Sequence, residues 1–338
     1  RVIELLRDEA LELKSDNPFK GNIDIDKLVK SIEEVGAQNV AYIRMEASTN
    51  LIGGQPFSIR NMMDVRQVAD KYGIMLVLDA SLLGENAYLV KQREEQWKEN
   101  SMADIIKMMT GLADLVYFSA RKLTSSRGGG ICTNNPKLYK QMEPLIPLFE
   151  GFLTYGGMSI REIEAMAVGI YETIDETMIS QSVDFIKYCV ESAVKAGIPM
   201  VTPPGVLGAH VNAGEFCAHI PQNEYPAGAL AAAFYICSGV RGMERGTMSS
   251  VRDENGVEIP ADVELMRLAF PRRVFTLSQT KYVVDRLAWL YENRHLIGGL
   301  KFTYEPSVLR FFMGELEPLT DWPSRLVEKF RKDFGDSL

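Results

Sequence analysis

"IMLVLDA", residues 74–80, is a run of five apolar side chains closed by Asp79. A run of this kind, without polar alternation, is the pattern of a strand covered on both faces. The flanking segments read as its partners. Upstream, "NIDIDKLVKSIEEVG" (22–36) has apolar residues at helical spacing, with Asp26 as its cap and Gly36 as its stop. "NVAYIRME" (39–46) then reads as a strand, "NLIGGQP" (50–56) as a loop and "SIRNMMDVRQVADKYG" (58–73) as an amphipathic helix. Downstream, "ENAYLVKQREEQWKE" (85–99) and "MADIIKMM" (102–109) read as helices and "ADLVYFS" (113–119) as the next strand. This β-α-β-α-β rhythm predicts an α/β domain on a mostly parallel sheet.

After Gly151 the texture changes. "SIREIEAMAVGIYETIDE" (159–176) and "SQSVDFIKYCVESAVKAG" (180–197) read as two long helices. Short strands follow near Met200 and Ala209, then a helix from Pro226, the strand "VELMRLAF" (263–270) and the helix "SQTKYVVDRLAWLYENR" (278–294). A chain of 338 residues is long for one core. The expected organisation is a large domain over 1–155, linking helices over 156–195 and a smaller C-terminal α+β domain over 196–338. No internal repeat or low-complexity tract interrupts it.

Hydrophobic content of 46% and charged content of 24% are those of a soluble globular protein. A formal net charge of −8 argues against a general nucleic-acid binder. No apolar run reaches the roughly 18 residues of a membrane span. "ALAAAFYICSGV", from Ala229, is a core helix running into a strand. The four cysteines (Cys132, Cys189, Cys217, Cys237) lack CxxC spacing, so reduced thiols in a cytoplasm are expected. The three histidines (His210, His219, His295) are scattered, and no GxSxG elbow is present, which disfavours a metal site or a serine hydrolase.

Chemistry gathers at strand ends, where open parallel sheets bind ligands. "DLVYFSARKLTSSRGGGICT" (114–133) places Ser119, Arg121 and Lys122 after an apolar strand and follows them with three glycines. Glycine runs mark tight turns or close approach of backbone to another group. Asp79 ends the neighbouring strand and Asn50 follows the first. A lysine there could form a Schiff base with an aldehyde, and pyridoxal phosphate needs such a lysine with an acidic partner for its ring nitrogen. A structural Asp–Lys pair fits the same spacing.

The motifs "NLIGGQP", "DASLLGENAYLVKQRE", "SARKLTSSRGGGIC", "EGFLTYGGMSIREIEAMAVGI", "SGVRGMERG", "RLAFPRRVFT" and "KFTYEPSVLRFF" run in order through the chain to about Met313. Together they resemble the tryptophanase and tyrosine phenol-lyase family, β-eliminating lyases of the aspartate-aminotransferase fold. The resemblance implies that Lys122 carries pyridoxal 5'-phosphate and moves the α-proton. It matches Asp79 to the carboxylate on the pyridine nitrogen and Asn50 to the asparagine near the cofactor's phenolic oxygen. Ser119 and Arg121 match positions beside the phosphate and the lysine. Arg273 matches the arginine that grips the substrate carboxylate, and Arg245 an arginine of the tyrosine phenol-lyase branch. Phe311 and Phe312 resemble an aromatic pair that closes over the substrate ring. The implied reaction releases pyruvate and ammonia from an amino acid, in a cytoplasmic homotetramer built as a dimer of dimers.

Departures accompany the match. Leu82 stands where the family has an arginine, Leu123 where it usually has an aspartate, and Leu207 where it has a histidine. The loop after Lys122 is one residue shorter, at a carbonyl that binds potassium in the family, so a monovalent cation is implied less firmly than the cofactor. These changes keep open another pyridoxal-phosphate reaction on a non-aromatic amino acid, or a catalytically silent homologue with a structural role. The family's N-terminal arm, phosphate-cradling glycine loop, ring-stacking aromatic and proton-donating tyrosine have no counterpart here. The resemblance therefore leads to the expectation that the functional unit is longer than these 338 residues.

Overall fold

The computed structural model describes residues 2–250 and 252–335. It divides into two compact units, Arg1–Ala10 with Asn17–Asp184 and Leu11–Asp16 with Phe185–Leu338.

The first unit is built on a four-stranded sheet of β1 (Ile43–Glu46), β2 (Leu76–Asp79), β3 (Leu115–Ser119) and β4 (Gly129–Cys132), in that order. The first three strands are parallel and β4 returns antiparallel to β3. Helix Ile59–Tyr72 links β1 to β2, and helices Leu83–Arg93 and Met102–Gly111 link β2 to β3. Ser58 caps the first of these by accepting from the Asn61 N–H, and Gly73 ends it at φ 66. Helix Ile25–Val35 is capped by Asp24, whose side chain accepts from the Lys27 N–H; Asp26, the expected cap, lies in the first turn. Its charge there still favours the helix N-terminus.

Leu76 and Leu78 are fully buried and Val77 is 5% exposed, so β2 is covered on both faces as its sequence indicated. Ile43, Met45, Leu76 and Leu78 point into a core with Met62, Val65 and Ile105. Burying each of these side chains contributes roughly 1.5–3 kcal/mol. β3 is only half-buried along its length. The glycines after Lys122 make β4 possible. A Cβ on Gly129 would lie 2.4 Å from the Phe118 carbonyl oxygen, and one on Gly130 2.7 Å from the Phe118 ring. The close approach is therefore to the chain's own strand.

The second unit holds a three-stranded antiparallel sheet of β5 (Gly208–Asn212), β6 (Met243–Arg245) and β7 (Leu265–Ala269), in the order β5-β7-β6. A separate hairpin pairs β8 (Leu300–Tyr304) with β9 (Glu315–Pro318). Helix Pro226–Ser238 is apolar nearly all round and runs through the core with Leu287, Leu290 and Trp322. Met200, expected in a strand, makes only an isolated bridge to Val211. Residues 11–16 join this unit through backbone bonds to Thr202 and a Lys14–Glu215 ion pair at 2.6 Å. The helix Glu176–Lys195 begins earlier than its sequence suggested and contains the boundary at Asp184/Phe185.

Two carboxyls among the described residues of this unit are buried, Glu244 at 3% and Glu264 at 6% exposure. Burial, opposed by a hydrogen bond from Ser249 and reinforced by the charge of Glu264, pushes Glu244 from 4.5 up to about 7. The unfolded group titrates near 4.5, so its contribution is fully present below that pH and is lost as pH rises to about 7. Thermal denaturation across this window should show stability falling on this account, and Glu244→Gln should flatten that part of the profile.

Candidate active site

In the first unit the candidate residues gather at the carboxyl ends of β1 to β3. Strand alternation and register place Arg44, Glu46, Asp79, Tyr117 and Ser119 on one face, opposite the apolar core. Asp79 Oδ1 accepts from the Ser81 N–H at 3.0 Å, and Ser81 Oγ accepts from the Ser119 N–H at 3.0 Å. This chain of bonds ties the end of β2 to the end of β3. Tyr117 lies within electrostatic reach of Asp79, and its hydroxyl accepts from Arg44 Nη1 at 3.4 Å.

Ser119 leads directly into the short helix Ala120–Leu123, which carries Arg121 and Lys122, both exposed. The helix is pinned by Ala120 N–H to Gly128 O at 3.0 Å, and Leu123 is packed into the core. An aspartate could not occupy that buried position without a partner, so leucine there belongs with the packing. Asn50, half-buried, opens a 3₁₀ turn closed by Gly53 at φ 94. Its N–H reaches Glu46 Oε1 at 3.4 Å. Leu82, 5% exposed, precedes helix Leu83–Arg93 and provides no polar cap.

The second unit contains the remaining candidates. Arg245, at the end of β6, is half-buried, and its Nε has no hydrogen-bond partner. Arg267, on β7, sits opposite His210 and Met243 in the register and on the same face as Arg245. Burial, and then the charge of Arg245, lower the Arg267 pKa. The same two arginines and full burial drive His210 down to about 3, with burial the largest cause. Its Nδ1 lies 3.1 Å from the Gly208 carbonyl, which only accepts; Nδ1 therefore carries the proton and Nε2 is an unpartnered acceptor. Arg273 lies outside this cluster in sequence, exposed in the turn after β7 at φ 56. Leu207, at φ 71, immediately precedes β5.

Phe311 and Phe312 form an edge-to-face pair 5.0 Å apart in the helix Arg310–Met313, with Phe312 72% exposed. Arg310 anchors this helix. It is 7% exposed, donates to the Met248 and Thr247 carbonyls, and pairs with Glu258 and Glu305. Among the described residues no helix is long and apolar enough to cross a membrane. No group of three or more His, Cys, Asp or Glu among them could hold a metal ion.

The family model for β-eliminating lyases matches residues 3–286. The chain belongs to the β-eliminating lyase family. A tyrosine phenol-lyase of Pasteurella multocida is 42% identical over 94% of this chain and 69% of its own length. One of Clostridium tetani is 39% identical over 93% of this chain and 69% of its own length. Among solved structures, an N-acetylornithine aminotransferase from Stenotrophomonas maltophilia superposes with a TM-score of 0.52 at 15% identity, covering 81% of this chain and 62% of that one. A serine palmitoyltransferase from S. paucimobilis gives 0.52 at 13% identity, covering 81% and 60%. The chain thus spans about six-tenths of these two structures. At such identities they speak to the fold alone, which this chain shares with both enzymes.

Family membership makes the chain a pyridoxal-phosphate-dependent lyase, and the donor set fits that group. A carboxylate at the end of β2 suits a protonated ring nitrogen, and a primary amine after β3 suits the aldehyde. The residues that sequence reading passed over are Glu46, Arg267 and His210. Alternation in "YIRME" could have put Arg44 and Glu46 on one face. Only the register could reveal which neighbours they meet.

Proposed function

We propose that this β-eliminating lyase cleaves the bond from Cβ to the side-chain substituent of an amino acid, releasing the substituent with a proton and, with uptake of one water, pyruvate and ammonia. The observation that carries the reading is Asp79 at the end of β2 with Lys122 just past the neighbouring parallel strand. Bound pyridoxal phosphate supplies an electron sink conjugated to the substrate's α-carbon. Asp79 would hold the proton on the ring nitrogen, Ser119 and Arg121 would hold the phosphate, and Asn50 would donate toward the phenolic oxygen. Lys122 Nζ is the group that would join the aldehyde, take the substrate's α-proton and pass a proton on.

An arginine of the β7 segment grips the substrate carboxylate, a two-pronged task suited to guanidinium. Resemblance favours Arg273; half-burial beside a second arginine favours Arg267. Arg245 receives a polar aromatic substituent, under Phe311 and Phe312. Potassium bound by loop carbonyls belongs to this reading through the resemblance alone, as does a cytoplasmic location. A homo-oligomer is supported by exposed apolar side chains such as Phe149 at 74%, Phe152 at 68% and Tyr171 at 75%, and its arrangement as a dimer of dimers comes from the resemblance alone.

Leu82 and Leu207 replace polar family positions, which favours apolar leaving groups. In a panel of amino acids assayed for pyruvate, S-alkyl cysteines are expected to react faster than tyrosine, with tyrosine slow but measurable. Pyruvate from none of the panel would refute the lyase reading; pyruvate from tyrosine alone would refute the reading of the leucines.

A further inference from the structure

Glu46 has no assigned role, yet the sheet register sets it directly beside Asp79 on the same face. Its side chain is 25% exposed. Oε1 accepts from the N–H of Asn50, at 3.4 Å, and Oε2 faces Arg44 at 3.8 Å. The charged and titratable groups around it come from three elements. Arg44 shares its strand, Asp79 comes from β2, and Lys122 lies within electrostatic reach from the helix after β3. Tyr117 of β3 joins the same network through Asp79 and Arg44. A half-buried carboxylate next to another carboxylate is unfavourable unless cations offset it. Here the cations are Arg44 and Lys122.

We infer that Glu46 is a positioning residue of the cofactor site: by accepting from the Asn50 N–H it fixes the turn that presents Asn50. The inference rests on Lys122 and Asp79 being the cofactor residues. Burial raises the pKa of Glu46, with Asp79 adding to it, while the Asn50 N–H, Arg44 and Lys122 pull the other way.

Two substitutions test it: Glu46→Gln keeps an acceptor for the Asn50 N–H, and Glu46→Ala removes it. The measurement is the affinity for pyridoxal phosphate, read from the visible absorbance of the loaded protein, alongside thermal stability. Glu46→Ala is expected to weaken cofactor binding about fivefold, the scale of one lost hydrogen bond, while Glu46→Gln stays near the parent. A folded Glu46→Ala protein that binds the cofactor like the parent overturns the inference, and so does equal weakening in both variants. A parent protein that develops no visible band overturns the Lys122 assignment and this inference with it.

Discussion

Lys122→Ala is expected to lower turnover by on the order of 10²–10⁴-fold from lost proton transfer alone, and to leave the cofactor without its covalent anchor. Lys122 sits in the exposed helix that directly follows β3, tied to Asp79 through Ser119 and Ser81. Borohydride reduction and peptide mapping of the parent protein should place the pyridoxyl mass on this lysine. A label on another lysine, or a Lys122→Ala protein that keeps near-parent turnover, would end the assignment. Leu123 is buried and ties the same helix to the core, so the substitution at the exposed neighbour should leave the fold intact.

Removing the arginine that holds the substrate carboxylate should cost about 2–5 kcal/mol in kcat/KM, the range for truncating one partner of a desolvated charge pair. Arg267→Ala is expected to show the larger loss. Two guanidiniums on one half-buried face repel, and an anion between them relieves that repulsion; the lowered Arg267 pKa, due to burial and then Arg245, reflects the cost. A pair made by an exposed arginine in a turn, such as Arg273, is screened by solvent and is worth less. If Arg273→Ala shows the full loss and Arg267→Ala turns over normally, the position implied by resemblance holds the carboxylate.

The legible parts of this fold were those written in local pattern. The apolar run before Asp79 announced a doubly covered strand, and the helical spacing over 58–73 announced the helix that Ser58 and Gly73 cap. The strand-end Asp79 and Lys122 were legible because both residue types are out of place at the end of an apolar run. Three things were not. That Gly129 and Gly130 build an antiparallel strand depends on how closely that strand lies to Phe118. That Glu46 meets Asp79 depends on a register no local signal carries. Arg267 and His210 looked like ordinary residues of two strands until the sheet order β5-β7-β6 placed them opposite each other.

Residues 11–16 give the chain an unusual itinerary. It begins in one unit, crosses into the other for six residues, returns, and crosses again inside the helix Glu176–Lys195. A single protease cut in that helix would part residues 1–184 from 185–338, and only the hydrogen bonds and ion pair of residues 11–16 would still hold the second piece. A second half made on its own from residue 185 would lack the backbone partners of Thr202, which Leu13 and Ser15 supply. Any division of this protein into separately produced pieces has to be planned as three junctions, with the short visiting strip supplied as a peptide or grafted on.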